Sequence, residues 1–128
     1  MHKRFVAIGT LLGAVAVAFG AFGAHGLKKI AGADAVQIFQ TGVQYQVYHS
    51  LALILTGLLH EKYYQKFVKL AGNFFIAGII LFSGSLYLLT AAKAAEVSAL
   101  EYAGIITPFG GVCFIAGWLF LFFAAIKK

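Results

Sequence analysis

The side chains with chemistry to offer are few, and they fall in short segments. The chain has four histidines, His2, His25, His49 and His60, and one cysteine, Cys113. One thiol excludes an intrachain disulfide framework and a cysteine-based zinc site. His25 and His49 are expected near the same leaflet surface. A bis-histidine haem there would need both rings aimed at one cavity, and His25 stands too close to water for that. A structural or catalytic metal would need carboxylate or thiol partners that no segment supplies. No Ser/His/Asp nucleophile set and no Gly-rich phosphate loop occurs. The sequence therefore calls for no catalytic residue, metal or cofactor, and the expected class is non-enzymatic. What remains is a set of neutral polar groups: Gln44, Tyr45, Gln46, Tyr48 and His49; Ser83, Ser85, Tyr87 and Thr90; and Thr107. Such groups hydrogen-bond one another, a lipid headgroup or a small solute.

The elements that carry them are read from the charges. All 14 Asp, Glu, Lys and Arg residues lie outside four runs: residues 5–24, 35–60, 70–92 and 102–126. A helix needs about 20 apolar residues to cross the hydrocarbon layer. Strands of a barrel would alternate with period two over about ten residues, and no run does. Hydrophobic residues make up 62% and charged residues 11% of 128 positions, with mean hydropathy +0.91. A soluble domain carries about 25% charged residues, and so small a globule has no interior for this much apolar surface. The expectation is an all-α, four-transmembrane-helix bundle forming a single domain over residues 1–128, with helices at about 5–25, 34–60, 67–92 and 99–126. The first run exceeds the usual 7–15 residues of a signal-peptide core and is expected to stay as a helix.

Orientation follows the positive-inside rule. One end holds Lys3, Arg4, Lys62, Lys66, Lys69, Lys127 and Lys128; the other holds Lys28, Lys29 and Lys93. Seven against three places both termini in the cytoplasm (N-in/C-in). The formal net charge of +6 is thus a topology signal. It carries no nucleic-acid motif, and no nucleic-acid partner is expected. Lys62, Lys66 and Lys69 flank Tyr63 and Tyr64, an arrangement suited to anionic lipid as well as to setting topology. Asp and Glu are absent from all four runs, which argues against proton-coupled transport.

Local signals refine the elements. Asp34 suits the N-cap or first turn of helix two. Val36, Phe39, Val43 and Val47 form an apolar line, and Gly42 marks a bend. Ser98-Ala99-Leu100-Glu101 reads as a capping box before helix four. Pro108, with Gly110 and Gly111 behind it, predicts a kink inside that helix. On helix one, Gly9, Gly13, Ala16, Gly20, Gly23 and Ala24 share a face and predict a close-packing seam; Gly13→Leu or Gly20→Leu should disrupt it. A homo-oligomer contact is the competing use of that seam.

With this topology the polar groups share one depth, in the outer half of the bundle. Gln37, Gln40, Thr41, Gln44 and Tyr48 make a stripe on helix two, and Ser83, Tyr87 and Thr90 make one on helix three. Polar stripes at membrane depth are expected to face the bundle interior. The candidate ligand-binding set is His25, Gln44, Tyr48, His49, Ser83, Tyr87 and Thr107, lining one outer-leaflet cavity for a lipid or small ligand. The competing readings are a structural or assembly subunit, in which these groups only hold helices together, and a small transporter or channel.

The segments Gly20-Ala21-Phe22-Gly23-Ala24-His25-Gly26, Gly42 to Leu53 around Tyr48-His49, Phe82-Ser83-Gly84-Ser85-Leu86-Tyr87, Thr107-Pro108-Phe109-Gly110-Gly111 and Gly117-Trp118 resemble the YgdD/YwdK-like family. Its members are small bacterial inner-membrane proteins of unknown function with animal relatives. The likeness runs in order over nearly the whole chain. It implies a multi-pass protein of four helices in the bacterial cytoplasmic membrane, and it implies no activity.

Overall fold

A computed structural model describes residues 1–127; Lys128, counted above in the charge asymmetry, lies outside them. Among the described residues the secondary structure is all helical. Helix α1 (Lys3–Ala24) is capped by His2, whose Nδ1 accepts from the Phe5 N–H (3.4 Å). The His2 N–H in turn donates to the Gly57 carbonyl (2.8 Å). That bond ties the start of α1 to the end of α2 (Ala33–Leu58). A 3-10 turn, Leu27–Lys29, joins the two helices. Asp34 lies in the first turn of α2, where its charge favours the helix dipole. The helix runs without interruption through Gly42, which the ring of Tyr87 covers: a Cβ there would stand 2.8 Å from Tyr87 Cε1.

The third rod is continuous from Gln65 to Ala95 but changes winding part-way. It comprises α3 (Gln65–Gly78), a π-helical turn (Ile79–Ser83) and α4 (Gly84–Ala95). Glu96, left-handed at φ 57°, ends it, and the Val97 N–H returns to the Ala92 carbonyl (2.9 Å). This is the closing pattern in which glycine is the usual residue. A 3-10 segment, Ser98–Ile105, then leads into α5 (Thr107–Ile126).

Two expectations for this last region need correcting. The residue flanking Ser98 is Val97, and no side chain caps the segment, so the Ser98/Glu101 capping box is not formed. Pro108 stands in the first turn of α5, where its missing N–H leaves no bond unmade. The expected kinked helix over 99–126 is instead a 3-10 segment followed by a helix that begins at Thr107, with the proline in its first turn.

Three stretches are long and apolar enough to cross a membrane: Lys3–Lys29, Gln65–Ala95 and Glu101–Ile126, with mean hydropathies of 2.2, 2.0 and 2.3. The 26 residues of α2 have the length but a more polar composition. Packing centres on α2, which meets α1, α3, the π turn and α4. One core gathers Phe5, Leu53, Phe75, Ile79 and Phe114 from all four rods. A smaller one joins Leu27, Val36 and Phe39 at the end near the 3-10 turn.

The small residues act by admitting rings. A Cβ on Gly72 would run into Phe5, one on Gly78 into Phe114, and one on Gly117 would stand 2.6 Å from Phe75. Lipid supplies no hydrophobic drive between helices, so this close approach supplies the attraction. The α1 seam packs on α2: a Cβ on Gly9 would lie 2.7 Å from Ile54 Cγ1, and one on Gly23 would lie 2.9 Å from the Phe39 ring. Gly13 has nothing within 4 Å and Gly20 has only Val43 at 3.6 Å. The tight positions are therefore Gly9 and Gly23, and a side chain added at Gly13 would meet no neighbour, contrary to expectation.

Candidate functional site

Helix α2 is polar on two faces, and the structure buries the face that the stripe argument did not choose. Its inward polar residues are Gln46, His49, Ser50 and Thr56. Gln37, Gln40, Gln44 and Tyr48 point outward, with Tyr48 54% exposed. Ser50 and Thr56 satisfy themselves by donating to the carbonyls one turn back, Gln46 (2.6 Å) and Ala52 (2.7 Å), a common arrangement for hydroxyls in helices. Gln46 bridges three helices: its Nε2 donates to Leu12 O on α1 (2.8 Å), and its Oε1 accepts from Tyr87 Oη on α4 (2.5 Å).

The stripe on the third rod does face inward. Ser83 Oγ donates to the Gly42 carbonyl of α2 (2.7 Å). Thr90 Oγ1 donates to Leu86 O (2.8 Å) and lies 3.4 Å from Ala35 O. Ser85 and Thr107 share a hydrogen bond of 2.6 Å between α4 and α5. The π turn contributes to this geometry. Its Gly84 N–H bonds Ile79 O, five residues back, and the extra residue in the turn shifts the phase of everything beyond it. Phe82, in this turn, covers Gly110, whose Cβ would collide with the Phe82 backbone.

His49 belongs to a separate cluster between α2 and α5. Its Nδ1 lies 2.7 Å from Tyr45 O, and its Nε2 accepts from the Trp118 indole N–H (3.1 Å). Those two bonds assign a neutral ring with its hydrogen on Nδ1. The ring stacks on Phe114 with centroids 3.5 Å apart and planes 9° from parallel. Tyr45, Phe82, Gly111 and Ile115 complete a shallow groove of about 370 Å³ beside it. Trp118, quoted above only as part of a motif, is the partner that the polar-depth argument missed. An indole on an otherwise apolar helix reads as an interfacial anchor unless its neighbour is known.

Of the seven candidate residues, the structure thus buries His49 and Ser83, half-buries Tyr87 and Thr107, and leaves His25, Gln44 and Tyr48 exposed. His25 terminates α1, its N–H bonded to Phe22 O (3.2 Å), apart from the others. Tyr87 stands on the wall of a cleft of about 400 Å³ between the end of α1, the 3-10 turn, α2 and α4, with Phe22, Leu27, Ile30, Phe39, Thr90 and Ala94. Its walls are mainly hydrocarbon, so it suits an apolar chain. Among the described residues no three His, Cys, Asp or Glu side chains converge.

A family model described as a protein of unknown function, DUF423, matches residues 19–111. The chain belongs to the DUF423 family. Full-length relatives agree. A UPF0382 membrane protein of Bacillus subtilis, YwdK, is 42% identical over 126 residues, covering 98% of each chain. A UPF0382 membrane protein of Haemophilus influenzae is 38% identical over 130 residues, covering 100% of this chain and 98% of its own. The inner membrane protein YgdD of Escherichia coli is 38% identical over 128 residues, covering 99% and 93%. No solved structure matches. The DUF423 chain is therefore a membrane protein of a family without an assigned function, as its resemblance implied.

Proposed function

We propose that this chain is a non-enzymatic protein of the bacterial cytoplasmic membrane that crosses it four times, with both termini inside, and holds a lipid hydrocarbon chain in the cleft between α1, α2 and α4. The observation that carries this is the cleft itself: about 400 Å³, walled by Phe22, Leu27, Ile30 and Phe39. That volume lies in the range of ligand sites, and its occupant arrives through the bilayer. The experiment is native mass spectrometry of protein released from lipid nanodiscs. The wild type should retain a lipid that Ala94→Trp, which fills the cleft, does not. Equal adducts on both proteins, with equal melting temperatures, exclude the reading.

A second reading has its own support. The polar groups buried between helices are paired with one another or with backbone carbonyls. That is the behaviour of a structural or assembly subunit, whose polar residues fix the helices in place. Unchanged lipid retention together with loss of a co-purifying complex would favour it. A transporter or channel is the third class, and solute flux in liposomes tests it. At the inner surface, we propose that Lys62, Lys66 and Lys69 attract anionic lipid, each by about 1 kcal/mol. All three are exposed, and beside them the Lys127 ammonium sits 4.2 Å from the Tyr64 ring centre. Changing the three to glutamine should remove anionic adducts.

A further inference from the structure

The outward stripe of α2 is anomalous for a surface that meets lipid. Gln37, Gln44, Tyr48, Leu51, Leu55 and Leu58 are all exposed, and they are spaced by three, four or seven residues. At 100° per residue, all but Leu58 fall within about 60° of one another. Gln44 lies 11 residues from Ala33 and 14 from Leu58, or about 17 Å and 21 Å along the helix. On the four-crossing reading proposed above, it is by either measure inside a hydrocarbon layer about 30 Å thick. A primary amide facing lipid there is costly unless bonded.

Among the described residues no bond relieves it. The α2 side chains that hydrogen-bond are Thr41, Gln46, His49, Ser50 and Thr56. Among the described residues, the side chains of Gln37, Gln44 and Tyr48 have no partner. Other outward faces differ. Helix α1 presents Leu11 and Val17, and α5 presents Val112, Ile115, Leu119 and Phe122. Thr10 on α1 returns its hydroxyl to Val6 O (2.9 Å). Asn73, an exposed amide on α3, is eight residues from Gln65 and can reach the membrane surface.

We propose that this stripe is the interface between two copies of the chain, related by a two-fold axis along the membrane normal. Copies inserted with one orientation face each other in parallel, so residue meets equivalent residue. An amide is both donor and acceptor, so Gln44 is complementary to Gln44 of a second copy, and the pair exchanges two hydrogen bonds. Below it, leucines at three- and four-residue spacing interlock as knobs into holes. A polar position within such a seam fixes register and partner number. A heterologous partner would not need self-complementarity at every level of the stripe, and lipid supplies no donors at this depth.

Two measurements test this, on the full chain with Cys113→Ser as background. In oxidised native membranes, Leu51→Cys and Leu55→Cys should each give a disulfide-linked dimer, and Val112→Cys on the lipid face of α5 should not. Energy transfer between labelled chains diluted in liposomes should show a monomer–dimer equilibrium. An average interhelical hydrogen bond corresponds to about a threefold change in dissociation constant, so Gln44→Leu, losing two, should weaken association about eightfold while leaving the melting temperature of the monomer unchanged. Cross-linking at Val112 equal to that at Leu55, adducts to a different polypeptide only, or association unaltered by Gln44→Leu overturns the proposal.

Discussion

His49 and Trp118 show how a histidine is tolerated when buried between helices. Each ring nitrogen has one partner, the Tyr45 carbonyl and the Trp118 indole. Trp118→Phe keeps a ring in place but leaves Nε2 buried without a donor. An unpaired buried acceptor costs about 1–3 kcal/mol, so the detergent melting temperature should fall for Trp118→Phe and recover in part for the double variant His49→Leu/Trp118→Phe. His60, in the turn after α2, is the contrasting case. Among the described residues its Nε2 is buried without a hydrogen-bond partner. Burial, with help from His2 and Lys69, holds its pKa below the ordinary value of 6.5. The folded state therefore resists a proton that the unfolded chain accepts. Stability should rise with pH up to about 6.5 and level off above it. Melting curves between pH 5 and 8 should show that slope in the wild type and a shallower one in His60→Gln.

At the scale of elements, the α1–α2 contact makes a discriminating prediction. Gly9 and Gly13 form one GxxxG pair in sequence, yet only Gly9 lies against a neighbour, with Ile54 and the Ser50 carbonyl within 3.0 Å of its notional Cβ. Gly9→Leu should cost about 1–3 kcal/mol by overpacking, whereas Gly13→Leu should leave melting unchanged. The π turn at Ile79–Ser83 is a second element-level device. It lets Ser83 reach Gly42 O while Phe82 covers Gly110. No composition signal marked it, because a π turn arises from what the flanking halves of a helix must touch. By contrast, the ends of α1, α2 and the whole third rod, Gln65–Ala95, fall within three residues of the expectation, since loops there begin where charges begin.

For the whole molecule, the charges fall into two groups along the sequence. The group Lys3, Arg4, Lys62, Lys66, Lys69, Lys127 and Lys128 has only Glu61 as an acid, whereas Lys28, Lys29 and Lys93 are matched by Asp34, Glu96 and Glu101. The formal +6 therefore belongs to one group, and the positive-inside rule is the ground on which both termini are proposed to lie inside. In a Cys113→Ser background, an impermeant thiol reagent added to intact cells should label Ser98→Cys and spare Lys62→Cys. The reverse pattern would invert the topology. In the stripe-dimer, both copies would then present their basic ends to the same leaflet, which is where anionic headgroups bind most strongly.

Membrane residence, helical class and the extents of the first three rods were legible in the sequence, because each follows from local length, charge and rise per residue. The inward stripe Ser83, Tyr87 and Thr90 was legible too, since three of the four polar residues there fall on one face and only Ser85 stands opposite. The rotation of α2 was not. That helix carries Gln37, Gln44 and Tyr48 on one side and Gln46, His49 and Ser50 on the other, so its periodicity offers two equally polar faces. The choice was made by fit between distant segments: Tyr87 against Gly42, Phe39 against Gly23, Ile54 against Gly9, and the His49 ring on Phe114. Steric complementarity of that kind is a property of pairs of helices. No single helix records it, and only the packed bundle decides which amides are satisfied inside and which are left facing outward for a partner.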